Sequence, residues 1–318
     1  MKTMLVLSMG ALLLAGTLSA QTPVPEWQAG VDKMKSLIQT NPAQASEEVG
    51  ELLKGKNKKN VDLVTSVAHV YLDAGKLTEA QEYLAMAKKA NNKDPKVSVL
   101  EGDIALAQKN VGQACQLYEQ AIYFDPNCKE AYLKYAQAYK SASPALAIEK
   151  LEQLKAVDPN CLEADRELAE VYYSSNRFGK AAEMYAKFID TPLATEDDML
   201  KYAFALFLNH DFEKSLQVAQ KGLQKNARHA AFNRLVMYNN TDLKRYEDAE
   251  KAAHAFFNAS DRADYSYLDY RYYGALLSAL KKYDEAIIEY GKALEKDSTQ
   301  VDLWREISDA HEMNNNYA

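Results

Sequence analysis

Apolar residues recur along most of this chain at the three- and four-residue spacing of helices that bury one face. Residues 95–128 show the pattern most clearly: one apolar stripe predicts a first helix over 97–108, and another predicts a second helix over 111–124. Pro126 ends the unit, because proline cannot continue a helix. The predicted unit is therefore two helices joined by a tight turn.

This helix pair repeats. Small residues recur at intervals of 34, 33, 34, 34, 34 and 37 residues, at Ala80, Ala114, Ala147, Ala181, Ser215, Ala249 and Ala286. A bulky residue stands three places ahead of nearly every one. A period this steady predicts a stack of equivalent units rather than one globular core, and it favours binding over catalysis. It does not identify the partner.

The positions within the repeat resemble those of the tetratricopeptide repeat (TPR), with small, aromatic and proline residues at fixed places. Residues 95–128 match it at Gly102, Ala114, Tyr118, Ala121 and Pro126. The repeats are predicted near 27–60, 61–94, 95–128, 129–161, 162–195, 196–229, 230–266 and 267–300, with a half repeat over 301–318. The resemblance implies an all-α fold, a right-handed α-solenoid of stacked helix-turn-helix repeats whose first helices line a concave groove.

The irregular places in the pattern are also informative. The unit 230–266 has three residues in excess and places Met237 where a small residue belongs. The last predicted first helix covers 301–313, and Tyr317 falls where its partner helix should begin. We therefore expect the native chain to continue past Ala318.

The first twenty residues have a different pattern. Lys2 is followed by an apolar stretch over 4–18 and then by small residues up to Ala20, which is typical of a secretory signal peptide. A transmembrane anchor is the alternative, but the stretch is shorter than the roughly 20 residues that span a bilayer. Residues 21–26 are then a short linker and 27–318 the solenoid. We expect an extracytoplasmic protein (periplasmic, secreted or envelope-associated) with no integral membrane segment after cleavage.

The net charge bears on the kind of partner, and the cysteine positions bear on whether a disulfide forms. A net charge of −7 argues against a nucleic-acid partner, which requires a positive surface. Cys128 and Cys161 follow the same Asp-Pro-Asn sequence and so occupy equivalent places in adjacent repeats. Helices in such a stack lie about 8–10 Å apart, whereas a disulfide needs Cα atoms within about 7 Å. We expect no bridge between them.

The sequence contains no recognisable catalytic constellation. Its five histidines are scattered without metal-ligand spacing, and it has no Gly-x-Ser-x-Gly elbow, phosphate loop or Gly-x-Gly-x-x-Gly motif. The prediction is a protein that is not an enzyme and has no catalytic residues, metal site or cofactor.

Tyrosine is unusually frequent, with 21 residues, and most occupy the packing positions of the repeat. The run Tyr265, Tyr267, Tyr270, Tyr272 and Tyr273 is denser than packing requires. Tyr267 and Tyr272 fall off the packing stripe. They are either an aromatic patch for a sugar or peptide or ordinary variation of the repeat, and we favour the second interpretation.

The resemblance also implies where a partner binds, because family members use positions 2, 5, 9 and 12 of the first helices. From these positions and the tyrosine run, the candidate binding residues are His69, Asp103, Gln137, Arg166, Glu170, Tyr173, Phe204, Phe207, Tyr267, Arg271 and Tyr272. The Lys and Asn residues with which some members hold a peptide carboxylate are absent, so that clamp is not predicted.

The leading hypothesis is an extracytoplasmic TPR scaffold that binds a protein or peptide, within a cell-envelope complex. One alternative is a glycan- or solute-binding surface component, suggested by the tyrosine run. The other is a helical module of a longer enzyme whose catalytic part lies beyond residue 318. The oligomeric state stays open.

Overall fold

The computed structural model describes residues 24–259 and 265–314, and within them the regular secondary structure is entirely helical. The predicted signal peptide and Tyr317 lie outside the described residues. None of the described helices is both long and apolar enough to cross a membrane. The chain divides into two compact units, residues 1–92 and 93–318.

The first unit contains two helix pairs, with a short 3-10 helix at Gly55–Lys59 between them. Its helices are α1 (Gln28–Leu37), α2 (Pro42–Leu52), α3 (Val61–Asp73) and α4 (Leu77–Asn91). The second unit continues the alternation of first and second helices. Its helices are α5 (Pro95–Ala107), α6 (Val111–Phe124), α7 (Lys129–Tyr139), α8 (Pro144–Val157), α9 (Leu162–Ser174), α10 (Phe178–Phe188), α11 (Glu196–Leu208), α12 (Phe212–Lys225), α13 (Ala230–Asp242), α14 (Tyr246–His254), α15 (Tyr267–Ala279), α16 (Tyr283–Lys296) and α17 (Val301–Met313).

The predicted helices over 111–124 and 301–313 are confirmed at both ends. The first helix of the 95–128 unit begins two residues earlier than predicted, at Pro95, because Asp94 caps it and proline is well tolerated in the first helical turn. The excess residues of the irregular unit follow α14, where a π-helical segment covers Ala255–Ala259.

Most first helices end in the same turn. The second residue after the end of the helix adopts a left-handed conformation, as at Gly75 (φ 74°), Lys109 (φ 63°) and His210 (φ 62°). The next amide then donates to a carbonyl five residues back, which satisfies a free carbonyl at the helix end and starts the second helix at a fixed angle. The α7–α8 turn is one residue longer, at residues 140–143, and Ser143 N donates to Tyr139 O instead.

In two units the small residue predicted in the first helix makes room for an aromatic ring from the second helix. A Cβ atom added at Gly102 would lie 2.5 Å from Cε1 of Tyr118, and one at Gly274 would lie 2.6 Å from the ring of Tyr290. In the irregular unit, 230–266, the large residue stands in the first helix and the small residue in the second. Met237 and Ala253 are both fully buried in one core cluster, so a large residue in the first helix accompanies a small one in the second.

Within the second unit, successive first helices contact one another more closely than successive second helices do. The first helices therefore form the tighter layer, and their solvent side is called here the first-helix face. The site described next lies on this face, at α11, α13, α15 and α17.

Candidate functional site

An acidic residue near the middle of a first helix connects two repeats. Asp103 on α5 accepts a hydrogen bond from the Tyr118 hydroxyl at 2.7 Å. Lys134, on the first helix of the next repeat, lies 2.9 Å from the other carboxylate oxygen. The predicted binding residue Asp103 is thus held by its own repeat and by its neighbour.

The same three-residue arrangement recurs two repeats later. Glu170 on α9 accepts from the Tyr185 hydroxyl at 2.9 Å and from Lys201 of the next repeat at 2.9 Å. Burial and the nearby Glu170 carboxylate raise the pKa of Tyr185 well above its ordinary value, so the hydroxyl stays protonated and donates. Both predicted groove acids at these positions are therefore part of inter-repeat contacts.

Arginines at the fifth repeat position make a second kind of bridge. Arg166 donates to Asp198 of the next repeat at 3.0 Å. Arg271 donates in the same way to Glu306 on α17 at 2.6 Å, and this bond raises the pKa of the arginine. Two further predicted residues thus tie one first helix to the next.

The structure places five other predicted residues outside the ion pairs described above. His69 Nδ1 lies 2.9 Å from Thr65 O of its own helix, and Gln137 donates to Glu167 at 2.7 Å. The other three are half-buried aromatic residues that pack against the core clusters: Tyr173, Phe204 and Tyr267.

Three first helices contribute to one aromatic stack. Tyr272 on α15 lies parallel to Tyr238 on α13, with ring centroids 4.0 Å apart, and Phe207 on α11 lies 5.6 Å from Tyr238. The Tyr238 hydroxyl donates to buried Asp269 at 2.7 Å, and Arg234 donates to both oxygens of that carboxylate. The stack is therefore anchored at its buried end.

Tyr272 also lines a pocket of about 360 Å³ on the first-helix face, called here the first-helix pocket. Its walls come from α13, α15 and α17. The lining residues are Thr241, Asp242, Leu268, Arg271, Tyr272, Ala275 and Glu306. The structure thus brings together the predicted residues Arg271 and Tyr272, with Phe207 packed behind the tyrosine.

The tyrosine hydroxyl closes one side of this pocket by donating to Asp242 Oδ2 at 2.9 Å. Surrounding protein raises the pKa of Asp242, because loss of water disfavours its charged form. This effect outweighs the opposing influence of the Tyr272 hydrogen bond and of nearby His210. Burial likewise raises the pKa of Tyr272. The pocket therefore pairs an aromatic ring with a partly desolvated carboxylate.

Comparison with known families agrees with the helix pairs. The family described as tetratricopeptide repeat matches residues 68–128 and 136–193.

Residues 68–128 and 136–193 of this chain are tetratricopeptide repeats.

The chain is also similar to solved structures, of which the first two described here reach a TM-score of 0.5. PilF from Pseudomonas aeruginosa is 15% identical, with 65% of this chain and 96% of that chain covered and a TM-score of 0.51. PilW, described as a type IV pilus biogenesis factor, is 17% identical, with 63% and 92% covered and a TM-score of 0.50. A TPR protein from Parabacteroides merdae ATCC 43184 is 15% identical, with 79% and 98% covered and a TM-score of 0.47. No curated protein matches the chain.

Stacked repeats of this kind present extended surfaces for binding. Within residues 24–259 and 265–314, no three His, Cys, Asp or Glu side chains converge as they would around a metal ion. Cys115, Cys128 and Cys161 are free thiols.

The tyrosine run over 265–273 divides between two places. Tyr265, Tyr270 and Tyr273 pack around Phe257 of the π-helical segment, with centroid distances of 5.0, 5.7 and 5.1 Å. Tyr272 points to the first-helix pocket instead. Most of the run is therefore packing, and one member lines the candidate site.

Sequence reasoning missed five residues of the pocket. Thr241 occupies position 12 of its repeat, which is a groove position in this family, and could have been found there. Asp242 follows it at the last position of α13, outside the positions considered. Leu268 and Ala275 occupy groove positions 2 and 9 of their repeat and could have been found in the same way, whereas Glu306 stands at position 6, outside the positions considered.

Proposed function

We propose that this chain is an extracytoplasmic TPR scaffold that binds a protein or peptide segment in the first-helix pocket, as part of a cell-envelope complex. The observation that carries the binding role is the pocket itself, which is built from three successive first helices around the Tyr272 ring. The apolar N-terminal stretch, which ends in small residues at Ala20, supports the location.

Contacts between the helices hold the walls of the pocket together. Arg271 and Glu306 hold α15 against α17, and the Tyr238–Tyr272 stack holds α13 against α15. A site that is already ordered loses little conformational entropy on binding, which favours affinity. Because the walls come from three helices, an extended segment lying across them contacts several repeats at once.

Affinity purification from the envelope fraction tests the binding role. We expect the wild-type chain, expressed at native abundance, to recover a partner that Tyr272→Ala loses. The control is Tyr123→Ala, since Tyr123 on second helix α6 is 82% exposed and far from the pocket's helices in sequence. Recovery of the protein alone, or equal recovery with both variants, would contradict the proposal.

Location has a separate test. Fractionation of the source cells should place the protein outside the cytoplasm, and N-terminal sequencing should begin at Gln21. A cytoplasmic protein that retains its first twenty residues would contradict this part of the proposal.

A further inference from the structure

We infer that the first-helix pocket recognises a cationic side chain, lysine or arginine, of the partner segment, with Asp242 as its counter-ion and Tyr272 as its aromatic wall. This inference rests on the proposed function and names the chemistry that the same pocket selects.

Asp242 differs from several other acids of the first helices in having no basic partner in the described part of the chain. Five of those acids form ion pairs: Asp103 with Lys134, Glu170 with Lys201, Asp198 with Arg166, Asp269 with Arg234, and Glu306 with Arg271. Within the described residues, Asp242 forms no such ion pair and accepts its hydrogen bond from the neutral Tyr272 hydroxyl. Of the two carboxylates that line the pocket, Asp242 is therefore the one whose charge is not already paired with a base.

The position of Asp242 in its helix adds to the argument. It is the last residue of α13, and the last turn of that helix carries no basic residue. A helix C-terminus carries partial negative charge, so a carboxylate is unfavourable there. Asp242 is exposed at the pocket wall, and the protein around it still removes enough water to raise its pKa. A carboxylate in a place that costs stability, on the wall of a pocket, is the pattern of a functional group.

The rest of the lining suits a cation as well. Two carboxylates, Asp242 and Glu306, stand against one guanidinium, Arg271, which leaves a net charge of −1. The Tyr272 ring is fixed by its stack on Tyr238, and a cation near such a ring is attracted by its negative face. Leu268 and Ala275 supply apolar surface for the methylene groups of a long side chain. An acidic side chain would find no unpaired cation among these residues.

NMR titration of the chain from Gln21 onward tests this directly, with tyrosine rings labelled and Tyr272 assigned from Tyr272→Phe. The probe is N-acetyl-lysine amide, and the comparison probes are the arginine, norleucine and glutamate analogues and a methyl glycoside of N-acetylglucosamine. We expect the lysine and arginine probes to shift the Tyr272 signal at millimolar concentration, with the other three at least tenfold weaker.

The Asp242→Asn variant should weaken the lysine probe at least tenfold. Glu285→Gln is the matched control, because it removes one negative charge from an exposed site on second helix α16 and should leave binding unchanged. Equal shifts from lysine and norleucine, stronger binding of the glycoside, or no loss in Asp242→Asn would overturn the inference. A purified partner that needs Tyr272, together with such a result, would leave the proposed function intact.

Discussion

Lys201 and Glu170 stand on the first helices of successive repeats, with Nζ 2.9 Å from Oε1, and the Tyr185 hydroxyl donates to the same oxygen. Lys134, Asp103 and Tyr118 have the same relationship two repeats earlier. The polar contacts between repeats are therefore periodic, like the apolar ones. An acidic residue on the first-helix face can therefore stabilise the stack of repeats and need not be a ligand-binding residue.

Loss of the buried tyrosine hydroxyl should destabilise the stack. Tyr185→Phe keeps the fully buried ring but removes a donor to a carboxylate. Because hydrogen bonds to charged groups contribute about 1.5–3 kcal/mol, we expect the free energy of unfolding to fall by that order. Urea denaturation measures it. Tyr123→Phe, at an exposed site, should change stability by less than about 0.5 kcal/mol; equal effects would contradict the bridging role of Tyr185.

Gly102 and Gly112 should respond oppositely to alanine. A Cβ at Gly102 meets the Tyr118 ring at 2.5 Å, so Gly102→Ala should cost about 1–3 kcal/mol by overpacking. A Cβ at Gly112 meets nothing within 4 Å in helix α6, so Gly112→Ala should stabilise by about 0.4–1 kcal/mol. Thermal unfolding compares the two, and a stabilising Gly102→Ala would show that the ring does not occupy that space.

The buried pair that anchors the aromatic stack should be sensitive to loss of one charge. Asp269→Asn leaves Arg234 partly buried without its counter-ion and should cost about 3–5 kcal/mol. Asp302→Asn removes an exposed partner of Arg305 and should change stability by less than about 1 kcal/mol. Denaturant midpoints measure both variants. If Asp269→Asn has the same stability as wild type, there is no basis for a rigid Tyr238–Tyr272 stack.

Asp242 gives a pH-dependent prediction. Its pKa is raised in the folded state above the ordinary value of 3.8, so the fold binds its proton more tightly than the unfolded chain does. Its contribution is therefore most favourable below pH 3.8 and is lost as the pH rises through the raised value. Asp242→Asn keeps an acceptor for Tyr272 but carries no charge at the helix end.

We accordingly expect Asp242→Asn to stabilise the fold at pH 7 by about 0.3–1 kcal/mol. The gain over wild type should shrink as the pH falls and Asp242 itself becomes neutral. Thermal unfolding of both proteins across this pH range measures the difference. A variant that is less stable than wild type at pH 7 would mean that Asp242 has a structural role.

The repeat made most of the fold predictable, because helix stripes and the alternation of small and aromatic residues depend on local spacing. Gly102 and Tyr118 follow from such positions alone. The binding face was harder to predict, since a polar residue at a groove position looks the same in sequence whether it is free or bridged. Asp103 and Arg271 are bridged by Lys134 and Glu306, on the next first helices, and only the packed structure shows this.

The central claim is that a partner segment occupies the first-helix pocket, and photo-crosslinking in the source cells tests it most directly. A photoreactive phenylalanine analogue is placed at Tyr272 in one strain and at exposed Tyr123 in another, and the crosslinked products are identified by mass spectrometry. The account predicts one partner, joined at position 272 through a segment that contains lysine or arginine, and no such product at position 123. No product at 272, or the same products at both positions, would contradict it.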